Sequence, residues 1–407
     1  MSISPFHGGL EWLQPLPEVN DTRVRIANAG KGSQQALNNR DINEFFNPRK
    51  SDLSLEERYN LCMSVGEEVI QPDELKKLLA KKEMFRCYDG FEPSGRMHIA
   101  QGIMKSINVN RITKSGGIFI FWVADWFALL NNKMDGDLEK IRVVGRYFVE
   151  VWKAAGMDLA NVQFLWASDE INKKADEYWS LVIDISRKNN ITRIKKCCQI
   201  MGRSEGDDMP TSNILYPCMQ CADIFFLKAD VCQLGLDQRK VNMLAREYCD
   251  AIKREEKPVV LSHHMLSGLK QGCAKMSKSD PMTAIFMEDT IEDVNSKIKK
   301  AYCPEKIVEE NPILDYCNSI IFPAFGTFTI NIKGKGPREF ATYKELEDEF
   351  RSGEVHPGDL KPAVAEAINK LIQPVRDHFK NDAYARELLA TIKGWNDEIA
   401  KKKDQAK

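Results

Sequence analysis

The sequence predicts an α/β protein, with a doubly wound parallel sheet followed by a mainly α-helical C-terminal domain. Between about residues 84 and 288, short apolar runs alternate with longer amphipathic stretches, and after residue 289 mainly helical spacing remains. The length of 407 residues suffices for two or three domains. With 43% hydrophobic and 29% charged residues, the composition excludes a collagen-like or largely disordered chain.

The candidate strands are short runs rich in β-branched and aromatic residues. They lie at 84–88, 118–124, 162–166, about 230–234 and 259–262. The helical stretches between them lie at 99–113, 137–155, 175–189 and 238–252. Such alternation requires crossover connections, so we expect a parallel, Rossmann-like sheet that is covered on both faces. Ligands of these sheets bind beyond the carboxyl ends of the strands, and we expect the functional residues in the loops there.

The remaining segments define the predicted domain boundaries. Residues 1–50 show no sustained periodicity and are predicted to be a poorly ordered extension, and residues 51–83 a helical lead-in. The sheet domain is predicted to span residues 84–288, and the helical C-terminal domain with its tail residues 289–407. In that domain Thr290 and Asp293 have the spacing of a capping box, which predicts a helix start. Further helices are predicted at 312–321, 343–351, 361–379 and from Ala383 onward.

Charge and hydropathy restrict the kinds of partner. With 58 Lys and Arg against 59 Asp and Glu, no overall basic field exists, so a nucleic acid would have to be bound by local patches. The apolar stretch 116–130 is interrupted by Asp125 and is shorter than the ~20 residues of a membrane span. Acidic residues at Glu11, Glu18 and Asp21 are incompatible with a secretory signal. We therefore expect a cytoplasmic protein without membrane association.

Cysteine usage supports a reducing compartment. The 11 cysteines are an odd number and are scattered through apolar segments, which is typical of free thiols. Cys218 and Cys221 have the CxxC spacing of zinc sites and redox pairs. Because a zinc site needs four ligands, the simpler interpretation is that both cysteines lie on one side of a helix.

Two segments carry the candidate chemistry. In the first, Tyr88 to Glu92 end the first strand, and a Gly- and Pro-containing turn leads to His98, where a helix is expected to begin. Helix N-termini bind phosphates through free N–H groups, although the segment alone is also compatible with an ordinary turn capped by a histidine. The second segment follows the last predicted strand and consists of Lys275, Met276, Ser277, Lys278 and Ser279. Two lysines and two hydroxyls in a loop suit a polyphosphate, and the alternative is a solvated basic turn.

Together, these segments resemble the HIGH and KMSKS signatures of class I aminoacyl-tRNA synthetases. Gln101 stands where the HIGH signature has its second histidine. Three further segments resemble the YPxxQxxD, GxDQRK and HPxDLK motifs of archaeal and eukaryotic tyrosyl-tRNA synthetases, and begin at Tyr216, Gly235 and His356. The resemblance covers about residues 59–382 and includes motifs in both predicted domains.

This resemblance implies a reaction in which L-tyrosine is activated by ATP and transferred to tRNA(Tyr). The implied catalytic residues, which stabilise the phosphates together with Mg²⁺, are His98, Lys275 and Lys278. The implied tyrosine-binding residues are Tyr88, Glu92, Tyr216, Gln220, Asp223 and Gln238, with Tyr88 and Asp223 at the phenol. The implied ATP-binding residues are Gly90, His98, Gly235, Asp237, Lys275, Met276, Ser277, Lys278 and Ser279. Mg²⁺ is expected to enter with ATP, and no tightly bound metal is expected.

The resemblance also implies contacts outside the sheet domain. Asp359 is expected to pair with the first anticodon base, which would make 289–407 an anticodon-binding domain. Alternatively, this carboxylate is only the N-cap of the helix at 361–379. A homodimer is expected from the family. Residues 137–156 are a candidate surface for it, but their spacing does not distinguish an interface from the core.

Three other functions remain open from the sequence. A tryptophanyl-tRNA synthetase would have the same architecture and signatures, but Tyr88 and Asp223 favour a phenol. A small nucleotidyltransferase would carry a HIGH-like turn without the long KMSKS-bearing region. An inactive RNA-binding or signalling paralogue is disfavoured because Lys275 and Lys278 are both present.

Overall fold

The computed structural model describes residues 40–201, 208–273, 276 and 280–405. Its larger sheet is built from β1 (Glu68–Ile70), β2 (Phe85–Phe91), β3 (Gly117–Val123), β4 (Val162–Trp166), β5 (Val231–Cys232) and β6 (Val259–Ser262). In the described residues these six strands have the order β1-β6-β5-β2-β3-β4. All neighbours from β6 to β4 are parallel, which confirms the predicted α/β class, and β1 pairs with β6 in the antiparallel direction.

The strand order creates a switch point beside β2. From β2 the chain continues through β3 to β4 on one side, and then returns to place β5 on the other side of β2. The loops that follow β2 and β5 therefore diverge at their carboxyl ends and leave a crevice, which is the usual ligand site of a doubly wound sheet. Tyr88 lies in the middle of β2, Gly90 lies near its carboxyl end, and Gly235 lies after β5.

Helices cover both faces of this sheet. They are α1 (Leu55–Met63), α2 (Pro72–Lys81), α3 (Lys105–Lys114), α4 (Asp125–Leu130), α5 (Leu138–Ala154), α6 (Ala167–Lys173), α7 (Ala175–Lys188), α8 (Ile191–Cys197), α9 (Thr211–Phe226) and α10 (Arg239–Ala251). The predicted helices at 137–155, 175–189 and 238–252 are confirmed to within one or two residues. The helix predicted at 99–113 differs, because a π-helical turn at Ala100–Met104 precedes α3. Within the described residues, no helix is long and apolar enough to cross a membrane.

The lead-in also contains one element that was not predicted. Val69 continues the apolar spacing of α1, yet it lies in β1, where it pairs with Leu261. The helix ends at Met63, and the β-branched Val-Ile pair that follows suits a strand better than another helical turn. The helical lead-in predicted at 51–83 is therefore interrupted by a strand.

A short segment before α1 lies along the outer strand β4. The amide of Asn43 donates to the Phe164 carbonyl oxygen at 2.9 Å, and the Phe164 N–H donates to Asn43 Oδ1 at 2.8 Å. The Arg49 N–H also donates to Asn161 Oδ1 at 2.7 Å. Residues 43–49 thus contact the sheet, and residues 1–39 of the predicted extension lie outside the described residues.

The C-terminal region is mainly helical, as predicted. Its helices are α11 (Ile291–Lys300), α12 (Pro312–Tyr316), α13 (Phe322–Phe325), α14 (Tyr343–Ser352), α15 (Pro357–Asn381) and α16 (Ala383–Gln405). The capping box of Thr290 and Asp293 is confirmed at the start of α11. A hairpin of β7 (Phe328–Ile332) and β8 (Gly336–Phe340) was not predicted from the sequence.

Helix α5 is covered by the C-terminal helices of the same chain. The rings of Tyr147 and Phe379 lie 5.5 Å apart, and His378 Nε2 is 2.7 Å from Glu150 Oε2. Lys140 Nζ lies 5.5 Å from the ring centre of Trp395 on α16. Much of the apolar face at 137–156 is therefore core, which is one of the two alternatives that the spacing left open, and the homodimer itself stays a prediction.

The cysteines are all free thiols, as predicted. Cys218 and Cys221 are both buried and both belong to α9. Burial raises the pKa of each thiol, which is the environment of structural rather than reactive cysteines. The CxxC spacing thus reflects one side of a helix.

Candidate active site

A cavity of about 1250 Å³ opens at the switch point of the sheet, beyond the carboxyl ends of the parallel strands. Eleven predicted site residues line it: Tyr88, Gly90, Glu92, His98, Tyr216, Gln220, Asp223, Gly235, Asp237, Gln238 and Met276. The other predicted residues of the KMSKS-like segment, namely Lys275, Ser277, Lys278 and Ser279, lie outside the described residues. The fold thus brings together residues that are far apart in the sequence.

Asp223 forms the deepest polar group of the cavity. The fold leaves its side chain 1% exposed on α9, where the Tyr178 hydroxyl donates to Oδ1 at 2.8 Å. Oδ2 is buried and forms no hydrogen bond within the described part of the chain. Burial raises the pKa of the Asp223 carboxyl well above its usual value, and Tyr178 and the Trp122 indole lower it only in part. A further donor, such as a phenol hydroxyl, would satisfy Oδ2 and relieve the cost of burial.

Tyr88, which belongs to β2, lies beside Asp223 of α9. Its side chain is 1% exposed, and burial together with the Asp223 carboxylate raises the pKa of its hydroxyl well above the usual value. A Cβ atom at Gly90 would lie 3.1 Å from the Tyr88 hydroxyl oxygen, so a larger residue there would press on it. Glycine at residue 90 thereby leaves room beside this hydroxyl.

Glu92 is the centre of a second polar group. The Tyr216 hydroxyl donates to Glu92 Oε1 at 2.7 Å, and Asn131 Nδ2 donates to both carboxylate oxygens at 3.1 and 3.2 Å. Lys133 Nζ lies 3.6 Å from Oε2. Burial and Glu92 raise the pKa of Tyr216, which keeps its hydroxyl protonated as a donor. This arrangement fixes a carboxylate at the cavity wall, where it can bind an ammonium group.

Gln220 and Gln238 form a third polar pair. Gln220 Nε2 donates to Gln238 Oε1 at 3.1 Å, and Gln238 Nε2 donates to the Ile200 carbonyl oxygen at 3.4 Å. The two residues come from α9 and from the turn before α10, so the bond connects the two sides of the crevice. Amide groups of this kind can bind both ends of a zwitterion.

The HIGH-like segment is held by backbone bonds to the chain that follows the KMSKS-like segment. The Ile99 N–H donates to the Ile285 carbonyl oxygen, and the Met287 N–H donates to the Met97 carbonyl oxygen, both at 2.9 Å. His98 forms an isolated β-bridge with Phe286 between these bonds. Met276, the described residue of the KMSKS-like segment, lines the same cavity as His98.

Gly235 and Asp237 form the part of the cavity wall that follows β5. A Cβ atom at Gly235 would lie 2.6 Å from Met265 Sδ and 2.7 Å from Asp237 Oδ1, so no side chain fits there. Glycine at residue 235 therefore makes room for the side chains of Met265 and Asp237, which pack against its backbone.

Several residues that line the cavity, or that contact its lining residues, were not predicted from the sequence. Tyr178 orients Asp223, and Asn131 and Lys133 contact Glu92. A buried ion pair of Asp89 and Lys105 also lies at the cavity wall. Lys105 offered a signal, because it is a cation in the predicted helix 99–113 next to buried apolar positions. The other residues lie on segments whose spacing resembles any amphipathic helix or loop.

Comparison with known proteins identifies the family. Residues 80–373 match the family model for class I tRNA synthetases of the W and Y type. A cytoplasmic tyrosine–tRNA ligase of Arabidopsis thaliana is 62% identical over 343 residues, which are 84% of this chain and 89% of that protein. The chain belongs to the tyrosyl-tRNA synthetase family.

Solved structures of the family agree with this fold. A Leishmania major tyrosyl-tRNA synthetase in complex with tyrosinol is 57% identical with a TM-score of 0.80, over 84% of this chain and 52% of that chain. The chain therefore spans about half the length of the Leishmania protein. The Aeropyrum pernix tyrosyl-tRNA synthetase is 35% identical with a TM-score of 0.77, over 84% of this chain and 100% of that one.

The HPxDLK-like segment lies away from the cavity, at the start of α15. His356 is the N-cap residue, and its Nδ1 accepts from the Gly358 N–H at 2.9 Å. Asp359 is the third residue of the helix, so the alternative that Asp359 is the N-cap is wrong. A histidine occupies that position because its ring nitrogen can accept from the first turn.

Proposed function

We propose that this chain is a tyrosine–tRNA ligase, which forms tyrosyl-adenylate and pyrophosphate from tyrosine and ATP and then charges tRNA(Tyr). The observation that carries the proposal is Asp223, whose Oδ2 is buried in the cavity wall without a hydrogen bond in the described structure. A buried carboxylate oxygen in an apolar slot selects a ligand that ends in a hydroxyl. Phenylalanine would leave this oxygen unsatisfied.

The remaining cavity residues suit the first step. Glu92 lies where it can bind the ammonium group of tyrosine, and Gln220 and Gln238 can orient its carboxylate toward the α-phosphorus of ATP. The attacking carboxylate oxygen forms a bond to phosphorus while pyrophosphate leaves. This reaction needs positioning and charge stabilisation rather than a strong base.

Charge stabilisation is assigned to the two signature segments. His98 would donate a hydrogen bond to the phosphates, and Lys275 and Lys278 would neutralise the departing pyrophosphate. Mg²⁺ is proposed to enter with ATP, bound mainly through phosphate oxygens and water. Among the described residues, no group of three or more His, Cys, Asp or Glu side chains could hold a metal ion by itself.

The second step requires tRNA, for which the C-terminal region is the proposed anticodon-binding domain. The proposed division places the catalytic domain at 84–288 and this domain at 289–407. The partly exposed Asp359 near the N-terminus of α15 could accept from the Watson–Crick edge of a guanine. A homodimer and a cytoplasmic location are part of the proposal, and the name of the Arabidopsis relative supports the location.

Amino-acid-dependent ATP/pyrophosphate exchange tests the first step. We expect exchange with L-tyrosine and none of comparable rate with the other nineteen amino acids. Exchange that depends on tryptophan would instead identify the sibling specificity, and no exchange with any amino acid would support the inactive paralogue.

The anticodon contact needs a separate experiment. Asp359→Ala should reduce charging of tRNA(Tyr) while tyrosine-dependent exchange stays unchanged, because Asp359 lies outside the cavity. It should also reduce the preference for the natural first anticodon base over an altered one. Glu366→Ala, an exposed carboxylate further along α15, is the matched control. Equal charging by Asp359→Ala and the control would contradict the assignment.

A further inference from the structure

A largely buried polar network extends from the wall of the cavity near Gly235, where Asp89, Lys105 and His263 line the cavity. Lys105 Nζ pairs with the Asp89 carboxylate and donates to Gln233 Oε1 at 2.7 Å and to the Gln233 carbonyl oxygen at 3.2 Å. Asp89, Lys105 and Gln233 are 9%, 5% and 0% exposed. Gln233 Nε2 in turn lies 2.7 Å from His263 Nδ1. The function proposed above does not use these four residues.

The charge of Lys105 fixes the orientation of the Gln233 amide. An ammonium group is only a donor, so the amide atom that faces it must be the oxygen. The Gln233 NH₂ group therefore points at His263 Nδ1, and this ring nitrogen must accept. Burial, the Lys105 ammonium and His264 together hold the pKa of His263 well below its usual value. The ring is consequently neutral, with its proton on Nε2.

The Nε2–H group is located beside the predicted nucleotide wall. His263 follows β6 and is joined to the Gly235 segment by two backbone bonds, from the His263 N–H to the Leu234 carbonyl oxygen and from the Leu236 N–H to the His263 carbonyl oxygen. A Cβ atom at Gly235 would lie 3.6 Å from His263 Nε2 and 2.7 Å from Asp237 Oδ1. His263 Nε2 and Asp237 Oδ1 therefore lie near the same face of this backbone, beside Met265 Sδ, and all three residues line the cavity.

This pair of groups suits a sugar better than a phosphate. A neutral imidazole beside a carboxylate carries no positive charge with which to bind a phosphate. A vicinal diol, by contrast, offers one hydroxyl that can donate to the carboxylate and one oxygen that can accept from Nε2–H. Because His263 and Asp237 both line the cavity, a sugar bound there can reach both groups.

We propose that His263 binds the ribose of ATP by donating its Nε2–H to a hydroxyl oxygen, while Asp237 accepts from the neighbouring hydroxyl. Asp89, Lys105 and Gln233 are positioning residues, because they act only through the His263 tautomer. The inference rests on the proposed function, in which this cavity binds ATP, and it adds a ribose contact to the residues predicted from the sequence.

Nucleotide analogues provide the first test, with tyrosine-dependent exchange as the readout. His263→Ala should raise the KM for ATP about tenfold and reduce the preference for ATP over 2′-deoxy- or 3′-deoxy-ATP by a similar factor. The KM for tyrosine should not change. His263→Gln, which keeps an N–H donor, should retain part of the preference. Tyr248→Phe, which removes a hydroxyl that bonds to Asp184 outside the cavity, is the control and should keep the parent preference.

The tautomer provides a test that does not depend on activity. In the parent enzyme with ¹⁵N-labelled histidine, two-bond ¹H–¹⁵N spectra should show His263 as the neutral Nε2–H form. Gln233→Leu keeps the size of the side chain but removes the bond to Nδ1. It should yield a mixture of tautomers and a preference for ATP between those of the parent and His263→Ala. If Gln233→Leu does not fold, the parent spectrum and the His263 variants still decide.

Three results would overturn the inference while leaving the proposed function intact. The first is a parent His263 that carries its proton on Nδ1. The second is an unchanged preference for ATP over both deoxynucleotides in His263→Ala. The third is a His263→Ala variant in which only the preference for ATP over inosine triphosphate changes, because this would place the contact at the base. Failure of the parent to catalyse tyrosine-dependent exchange with ATP would instead contradict the proposed function.

Discussion

The two ends of the cavity are built from different kinds of structural element. At the phenol end, the side chains of Tyr88 and Asp223 are each 1% exposed and lie within a strand and a helix. At the nucleotide end, Gly235, Asp237 and Met276 lie in the loops that follow β5 and β6. The phenol end presents a buried carboxylate, whose desolvation costs free energy. The nucleotide end presents loop backbone and the partly exposed imidazole of His263.

This difference separates specificity from rate. A buried carboxylate discriminates strongly because a wrong ligand leaves it without a partner, and a rigid helix maintains that cost. Loops that present glycine backbone and basic side chains suit a ligand whose charge changes during the reaction. Substitutions at the two ends should therefore change different kinetic parameters, and the following predictions run from the largest expected effect to the smallest.

Asp223→Ala should produce the largest change, at the phenol end. We expect the selectivity for tyrosine over phenylalanine in the exchange assay to fall about 10³-fold. Alanine removes the buried carboxylate oxygen that the tyrosine hydroxyl satisfies and that phenylalanine would leave without a hydrogen bond. A discrimination of ~10⁵ is an established figure for another tyrosyl-tRNA synthetase and sets the scale of this effect. The KM for ATP should stay near its parent value. Undiminished selectivity would contradict the assignment of the phenol pocket.

Lys275→Ala tests the nucleotide end. We expect adenylate formation to slow about 10²-fold while the Kd for tyrosine stays the same, because this lysine is assigned to the departing pyrophosphate. Single-turnover kinetics and tyrosine titration measure the two quantities. Lys270→Ala is the control, since Lys270 is 56% exposed and pairs with Asp280 at 2.5 Å. Equal effects on tyrosine binding and rate would remove the contrast between the two ends.

Tyr178→Phe tests whether Asp223, at the phenol end, depends on its hydrogen bond from the Tyr178 hydroxyl. The substitution removes the hydroxyl that holds Asp223 Oδ1, so the pKa of Asp223 should rise further and kcat/KM for tyrosine should fall about tenfold. Tyr248→Phe is the matched control, because its hydroxyl bonds to Asp184 at 2.6 Å and does not line the cavity. If both variants behave alike, Asp223 does not depend on this bond.

His264 gives the smallest effect, in stability. Asp315 and Glu67 raise the pKa of His264 from 6.5 to about 9, so the charged form stabilises the fold. This contribution is complete below pH 6.5 and is lost as the pH rises through 9. Since the side chain is 38% exposed, solvent screening leaves a loss of about 1 kcal/mol. Urea unfolding across this range should show the loss, and His264→Gln should remove its pH dependence.

The sequence predicted much of the sheet and the cavity for physical reasons. Buried parallel strands are continuous apolar runs, so 162–166 and 259–262 were placed correctly. The HIGH-like segment follows the first predicted strand and the KMSKS-like segment follows the last one, so parallel strands direct both segments to the same edge of the sheet. The hairpin of β7 and β8 was missed although Phe328, Ile330 and Ile332 alternate with exposed residues, a period that short strands share with loops.

The residues that support the site were less accessible to prediction. The packing of α7 against α9 brings Tyr178 to Asp223, and the pairing of β6 with β5 brings His263 to the cavity. No local pattern distinguishes these two residues from ordinary core or loop positions. Their roles depend on which atoms they face, and this information exists only in the folded chain.

The amide of Asn43 satisfies both the N–H and the carbonyl oxygen of Phe164, and so occupies part of the outer edge of β4. An open strand edge is a template for pairing with other molecules. By covering part of this edge, Asn43 should reduce pairing of β4 with a strand of another molecule. Shortening the chain from its beginning beyond this residue would expose that edge, so a trimmed protein should become less soluble even though its cavity is untouched.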